Sequence, residues 1–216
     1  TLHSVFYSLP LWFVDHLFSW FSEDEALRTM QASCQPPPVG IRVNPLDPQS
    51  KHVHDYFSQC PGLIAAHENG FAFSERPEAL SKYVSAGKAS LQSFASYLSL
   101  LSIPSQYMKF PLLDLCAGRG GKTCVILERS FSDITATDRS FARISQLQIE
   151  LQRLRLPDIR TLLLDATQTL PFTRPFPTIL IDAPCSGLGV LSRRPDTVWK
   201  MTPQQMDQLV RTQKTI

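Results

Sequence analysis

The sequence predicts an α/β fold in which a doubly wound, parallel sheet follows a small α+β unit. Two observations predict it. Beyond Gly87, short apolar runs that close on an aspartate alternate with longer stretches of helical periodicity, the pattern of consecutive βαβ units. Ahead of Val84, helical runs, proline breaks and short alternating stretches follow one another without that rhythm. A small domain over 1–84 and a larger one over 85–216 are therefore expected. The length of 216 residues, with 43% hydrophobic and 19% charged composition, supplies apolar material for such a pair.

In the first part, Leu11, Val14, Leu17, Phe18 and Phe21 recur at helical spacing, and a second helical run follows Glu23-Asp24-Glu25 through Met30. Pro36-Pro37-Pro38 ends this opening. Val39 to Asn44 alternates as a strand would before Pro45 stops it, a helix is expected from His52 to Gln59, and short β-like pieces follow around Leu63 to Phe73. In the second part, Ser90 to Leu101 reads as a helix and Phe110 to Leu115 as a strand. A glycine-rich loop, a helix from about Lys122 to Arg129 and a strand from Asp133 to Thr137 come next. A long helix over Phe141 to Leu154, a strand Arg160 to Leu164 and a run Pro177 to Ile181 that closes on Asp182 complete the alternation. The residues from Met206 to Ile216 are helix-like with no cap or stop signal, and the chain opens at Thr1 rather than Met, so both ends are expected to be cuts through a longer protein.

Composition excludes more than it assigns. A net charge of +2 and a pI near 8.3 are too mild to announce a nucleic-acid binder. Five cysteines form an odd set with no C-x-x-C pair, which argues against a disulfide framework and a zinc site and for a reducing compartment. His52 and His54 have no carboxylate or cysteine grouped with them, and no metal is expected. The apolar stretch Leu9 to Phe21 is broken by Asp15 and His16, so neither a signal peptide nor a membrane segment is expected, and the expected location is cytoplasmic.

In doubly wound sheets ligands sit beyond the carboxyl ends of the strands, where strand order reverses. Four loops place acidic or glycine residues there. In Asp114-Leu115-Cys116-Ala117-Gly118-Arg119-Gly120-Gly121-Lys122-Thr123, the glycines let backbone approach a ligand and the next helix offers free N–H groups to a carboxylate. The spacing lacks the first glycine of a P-loop, which disfavours a nucleoside triphosphate despite Gly121-Lys122-Thr123. Asp138 ends the next strand, where a carboxylate can accept hydrogen bonds from ribose hydroxyls or simply cap the following helix. Asp165 could reach an adenine amino group. The fourth loop is Asp182-Ala183-Pro184-Cys185-Ser186-Gly187-Leu188-Gly189-Val190, followed by Arg193-Arg194-Pro195-Asp196.

Asp-Leu-Cys-Ala-Gly-x-Gly-Gly-Lys-Thr together with Asp-Ala-Pro-Cys-Ser-Gly-x-Gly-Val and Arg-Arg-Pro-Asp resembles the RsmB/Nop2/Sun family of RNA cytosine-C5 methyltransferases. The likeness reaches upstream to Ser8-x-Pro10-x-Trp12, Ile41-Arg42-Val43-Asn44 and the Gly87 to Leu98 stretch with Gln92, which are similar to the small RNA-binding domain ahead of that family's catalytic domain. The resemblance implies a Rossmann-like class I methyltransferase sheet, here truncated at its C-terminal side. It implies transfer of a methyl group from S-adenosylmethionine to carbon 5 of a cytosine in RNA, with ribosomal RNA favoured over transfer RNA, by a monomer.

By the same matching, Cys116, Ala117, Gly118, Arg119, Gly120, Gly121 and Lys122, with Asp138, Asp165 and Asp182, would hold the cofactor. Asp182 would hydrogen-bond the base edge, Cys185 would act in release of the methylated product, and Arg42, Arg193 and Arg194 would contact RNA. The family's attacking cysteine lies in a Thr-Cys motif on a later strand; no such pair is expected here, so the polypeptide by itself is expected not to complete catalysis. One departure stands out: many family members have Ala-Pro where this sequence has Gly118-Arg119, which places a cation beside the pocket for the cofactor's methionine end. Two rivals remain at this point. An amino-group methyltransferase shares fold and cofactor but carries an Asn/Asp-Pro-Pro-Tyr/Phe loop in place of the Cys185 loop, and a non-catalytic RNA-binding module would bind no cofactor.

Overall fold

The computed structural model describes residues 2–129 and 133–216. The chain forms two compact units, one made of residues 1–37 and 184–216, the other of residues 38–183. The first unit opens with α1 (Leu2–Phe6), α2 (Leu11–Trp20) and α3 (Glu23–Ser33). Helix α3 starts where Ser22 caps it: the Glu25 N–H donates to the Ser22 hydroxyl and the Ser22 N–H donates back to the Glu25 carboxylate.

The second unit carries both sheets. Strand β1 (Val39–Val43), helix α4 (Ser50–Ser58), strands β2 (Leu63–His67) and β3 (Gly70–Phe73), helix α5 (Leu80–Ser85) and strand β4 (Ala89–Leu91) build an antiparallel sheet of order β2-β3-β1-β4. Phe57 of α4 packs on Phe71, Phe73 and Tyr83 with ring centroids 5.5–6.0 Å apart, and Ile41, Val43, Val53 and Leu80 complete that core. The expected helix from Ser90 to Leu101 is corrected here. Ser90 and Leu91 belong to β4, paired with Arg42 and Ile41 of β1, and helix α6 runs from Phe94 to Leu101. Long-range pairing with β1 overrides the local periodicity.

Beyond α6, β5 (Leu112–Asp114), α7 (Gly121–Glu128), β6 (Ile134–Asp138), α8 (Phe141–Leu154), β7 (Arg160–Leu163) and β8 (Thr178–Leu180) form a Rossmann-like parallel sheet of order β7-β6-β5-β8. Strands β5 and β6 are buried along their whole length, as central parallel strands must be. Helix α8 buries Ile144, Leu147, Leu151 and Leu154, one stripe at helical spacing, and the three leucines share a core with Cys124, Ile126 and Leu127 of α7. Strand order reverses between β5 and β8, so the loops after these two strands flank the switch point.

Returning to the first unit, α9 (Asp196–Lys200) and α10 (Pro203–Thr215) follow a short 3-10 turn at Leu188–Val190. Leu191 and Val198 pack among Phe13, Val14, Leu17, Ala26 and Met30, and Trp199 Nε1 donates to the Ser8 carbonyl at 3.2 Å. Helix α10 does have a start signal: Thr202 and Gln205 form a capping box.

The tightest backbone constraint is at Gly120, which caps α7 with φ +86°. A Cβ there would lie 2.2 Å from Leu147 Cδ1. Gly120→Ala is expected to cost about 3–4 kcal/mol, about 1–2 from the left-handed conformation and the rest from overpacking. Gly118→Ala, at φ +59° with no atom within 4 Å of its Cβ, should cost only the conformational part, about 1–2 kcal/mol. Urea midpoints of the two variants measure the difference.

Candidate functional site

A cavity of about 250 Å³ opens at the switch point of the parallel sheet. Asp114, Cys116, Ala117, Gly118, Arg119, Gly121 and Lys122 line it from the loop after β5, Asp182 from the loop after β8, and Gln92, Ser96 and Arg143 from flanking elements. Lys122 Nζ and Asp182 Oδ2 form an ion pair that joins the two loops. Lys122 is the less exposed partner, with 20% of its side chain accessible against 57% for Asp182, so the carboxylate keeps a face free for a ligand.

Asp138 works from behind the wall. The Gly118 N–H donates to its Oδ2 at 3.0 Å and the Ser140 N–H to its Oδ1 at 2.8 Å, while Arg143 Nη1 lies 3.6 Å from Oδ2. One buried carboxylate thus both turns the chain into α8 and anchors the glycine loop. The Ala117 N–H donates to the Thr137 carbonyl at 2.8 Å and the Leu164 N–H to the Asp138 carbonyl at 3.0 Å, so the edges after β5, β6 and β7 run side by side.

Asp114 sits deepest, 1% exposed. The Thr123 hydroxyl donates to its Oδ2 at 2.6 Å, and its buried Oδ1 has no hydrogen-bond partner among the described residues. Burial pushes this carboxyl up to about 6, against the pull of the Thr123 hydrogen bond and helped by the nearby Asp182 charge. Burial and the charges of Asp138, Asp114 and Asp182 push the Cys116 thiol up as well, which makes it a poor nucleophile.

A family model described as 16S rRNA methyltransferase RsmB/F matches residues 104–216. The chain belongs to that family. A relative named ribosomal RNA small subunit methyltransferase B, from Citrobacter koseri, is 31% identical over 96% of this chain and 49% of its own length. The chain spans about half the length of the curated relatives it matches from end to end. Two solved structures share the fold. A methyltransferase homolog protein from Pyrococcus horikoshii superposes with TM-score 0.71 at 22% identity over 88% of this chain and 64% of that one. NSun6 from Pyrococcus horikoshii with SFG superposes with TM-score 0.74 at 17% identity over 95% of this chain and 78% of that one.

In this RsmB/F member the expected cofactor residues divide by place. Cys116, Ala117, Gly118, Arg119, Gly121, Lys122 and Asp182 share the cavity, whereas Gly120 is buried under Leu147 and Asp138 supports the loop from outside the wall. Asp165 is exposed, off the cavity, and accepts hydrogen bonds from the Thr167 N–H and hydroxyl at 3.0 and 2.8 Å, which lower its carboxyl below the ordinary range. Cys185 is an exposed free thiol three residues beyond Asp182, and Arg193 and Arg194 are exposed in the turn before α9.

Two expectations are corrected. Arg42 is 2% exposed and its guanidinium is engaged by Glu128, Gly121 and Gln92, so no RNA phosphate can reach it. The sequence does contain one Thr-Cys pair, Thr123-Cys124, but it lies inside α7 rather than on a later strand. Cys124 is fully buried and desolvation pushes its thiol up to about 12, so it is a packing residue. Asp114, Gln92, Ser96 and Arg143 were missing from the expected site. Asp114 had a signal, since it closes an apolar run as Asp138 and Asp182 do. Among the described residues, no group of three His, Cys, Asp or Glu could hold a metal, and no helix is long and apolar enough to cross a membrane.

The raised Asp114 carboxyl has a pH consequence. Its folded value of about 6 stands above the ordinary 3.8, so its contribution to stability is complete below pH 3.8 and is lost as pH rises through 6. Between pH 5 and 7 about half of that shift acts, roughly 1 kcal/mol. Asp114→Asn should remove this slope: relative to the parent, the variant gains about 1 kcal/mol on going from pH 5 to pH 7, read from paired urea titrations. Parallel curves would contradict the assignment.

Proposed function

We propose that this chain holds S-adenosylmethionine in the switch-point cavity and presents it to a cytosine, as part of an enzyme that methylates carbon 5 of that base in small-subunit ribosomal RNA. The observation that carries the reading is that the glycine loop from Asp114 to Lys122 and Asp182, the first residue of the second motif, line one cavity and are tied by the Lys122–Asp182 pair. The residues fit such a cofactor. The first turn of α7 offers backbone N–H groups to a carboxylate, and Asp114 Oδ1 is a buried acceptor still lacking a donor such as an ammonium. Arg119, exposed at the rim, supplies a cation for the same carboxylate.

When bound, the cofactor supplies an electrophilic methyl group. The protein must make carbon 5 of the pyrimidine nucleophilic, which thiolate addition at carbon 6 achieves and which elimination after loss of the C5 proton reverses. Asp182, with one face free, is proposed to hydrogen-bond the base edge, and Lys122 to fix the rotamer of that carboxylate. Cys185 is proposed to act in release of the methylated base, a role that rests on its motif. Asp138 is proposed to act through the glycine loop that it anchors, and Asp165, off the cavity, is given no cofactor contact. Residues 1–84, with Arg193 and Arg194, are proposed to face RNA, in a monomer acting in the cytoplasm. The thiol that adds to carbon 6 is neither Cys124, which is buried, nor Cys116, whose charge is opposed by three carboxylates.

In the intact protein, Cys185→Ala should accumulate a denaturant-stable protein–RNA adduct on gels, because addition proceeds while release stalls. A variant that turns over like the parent removes Cys185 from the mechanism. Bisulfite mapping of RNA from cells lacking the intact gene should show loss of one methylated cytosine in small-subunit rRNA; an unchanged map contradicts the proposed reaction.

A further inference from the structure

Arg42 heads the fully buried side chains by volume, and a guanidinium survives in a core only when its charge and donors are met. Its partners lie at both ends of one helix. Arg42 Nη2 donates to Glu128 Oε1 at 2.9 Å, and Nε lies 2.7 Å from Oε2 as an ion pair without hydrogen-bond alignment. Arg42 Nη1 donates to the Gly121 carbonyl at 3.2 Å and to Gln92 Oε1. Gly121 and Glu128 are the first and last residues of α7. They can meet one guanidinium because helical carbonyls point toward the C-terminus while side chains lean toward the N-terminus.

Gln92 closes the arrangement. Its Nε2 donates to the same Gly121 carbonyl at 3.4 Å, and its backbone N–H donates to the Gly40 carbonyl at 3.0 Å. The approach of β1 here is so close that a Cβ on Gly40 would lie 2.0 Å from the Gln92 carbonyl oxygen. Two residues past Arg42, on the same side of the strand, Asn44 Nδ2 donates to the Leu154 carbonyl at the end of α8 at 2.9 Å. The C-terminal end of the inner strand β1 therefore grips both α7 and α8. Arg42 is not on the cavity wall; Gly121 and Gln92 are.

We propose that Arg42, acting through Gln92 and the Gly121 carbonyl, is a positioning residue that sets the first turn of α7 and so the end of the cavity that takes the cofactor's amino-acid portion. The small sheet is then part of the cofactor site's construction and not only a surface for RNA. This rests on the cofactor reading above for its ligand, but not for its mechanics.

The test uses the full chain with Arg42→Met and Glu128→Leu combined, which removes both charges together and leaves no lone buried ion. Two readouts are taken: hydrogen exchange of the amides from Gly118 to Cys124 without ligand, and S-adenosylmethionine affinity by calorimetry. The expected result is exchange about 10-fold faster in that segment, with β6 unchanged, and Kd weakened about 10-fold, the scale of one or two lost buried hydrogen bonds. A folded double variant with parental exchange and parental Kd overturns the proposal. Should the double variant lose its cooperative melt, Gln92→Ala keeps the ion pair and drops the second contact to Gly121; about 3-fold faster exchange is expected, and unchanged exchange overturns the proposal. If the parent chain binds no S-adenosylmethionine, the cofactor reading fails, and exchange alone decides the brace.

Discussion

The turn from β5 into α7 is the constraint on which the site depends. Between Asp114 and Gly121 the chain must leave a buried strand, reverse, and start a helix whose first N–H groups stay uncovered at the sheet edge. Glycine takes the left-handed step at Gly120 beneath Leu147 without a Cβ clash, and the Asp138 carboxylate, reaching across from the next strand, meets the Gly118 N–H. Packing thus closes one side of the loop and a hydrogen bond ties the other. What remains open is the face toward Asp182, and the ion pair with Lys122 brings that carboxylate to it.

Electrostatics in this small volume are uneven by construction. Asp114, Asp138 and Asp182 end adjacent parallel strands or their loops, and their mutual repulsion is managed differently at each. Asp182 has a lysine, Asp138 has two backbone N–H groups and the Arg143 guanidinium at 3.6 Å, and Asp114 has one hydroxyl with one oxygen left over among the described residues. A carboxylate oxygen kept dry and unmatched is costly unless a ligand matches it. Behind the loop, burial pushes the Glu128 carboxyl up to about 7 while Arg42 draws it down, so the brace itself is a compromise between desolvation and pairing.

Much of this was legible in the sequence. The aspartates that close apolar runs mark the carboxyl edge, which follows from period along the chain, and the family resemblance singles out the glycine loop and Asp182, which line one cavity. What was not legible came from contacts distant in sequence. Ser90 and Leu91 pair with β1, about fifty residues earlier, so a helical pattern yielded to a strand. The resemblance points Arg42 at RNA, and nothing near it in the sequence marks the Glu128 that buries it 86 positions away. For Asp138 the sequence leaves a ligand and a helix cap both open. It anchors the loop, a role that only the fold reveals.

The most direct measurement is a ¹⁵N-resolved titration of the chain with S-adenosylmethionine, following the backbone amides of the cavity loops. The account predicts saturable shifts concentrated at Cys116 to Lys122 and Asp182, with a smaller response at Asp138 relayed through the Gly118 hydrogen bond. Saturable binding whose shifts lie elsewhere on the parallel sheet, leaving Gly118, Gly121 and Asp182 unmoved, would contradict it.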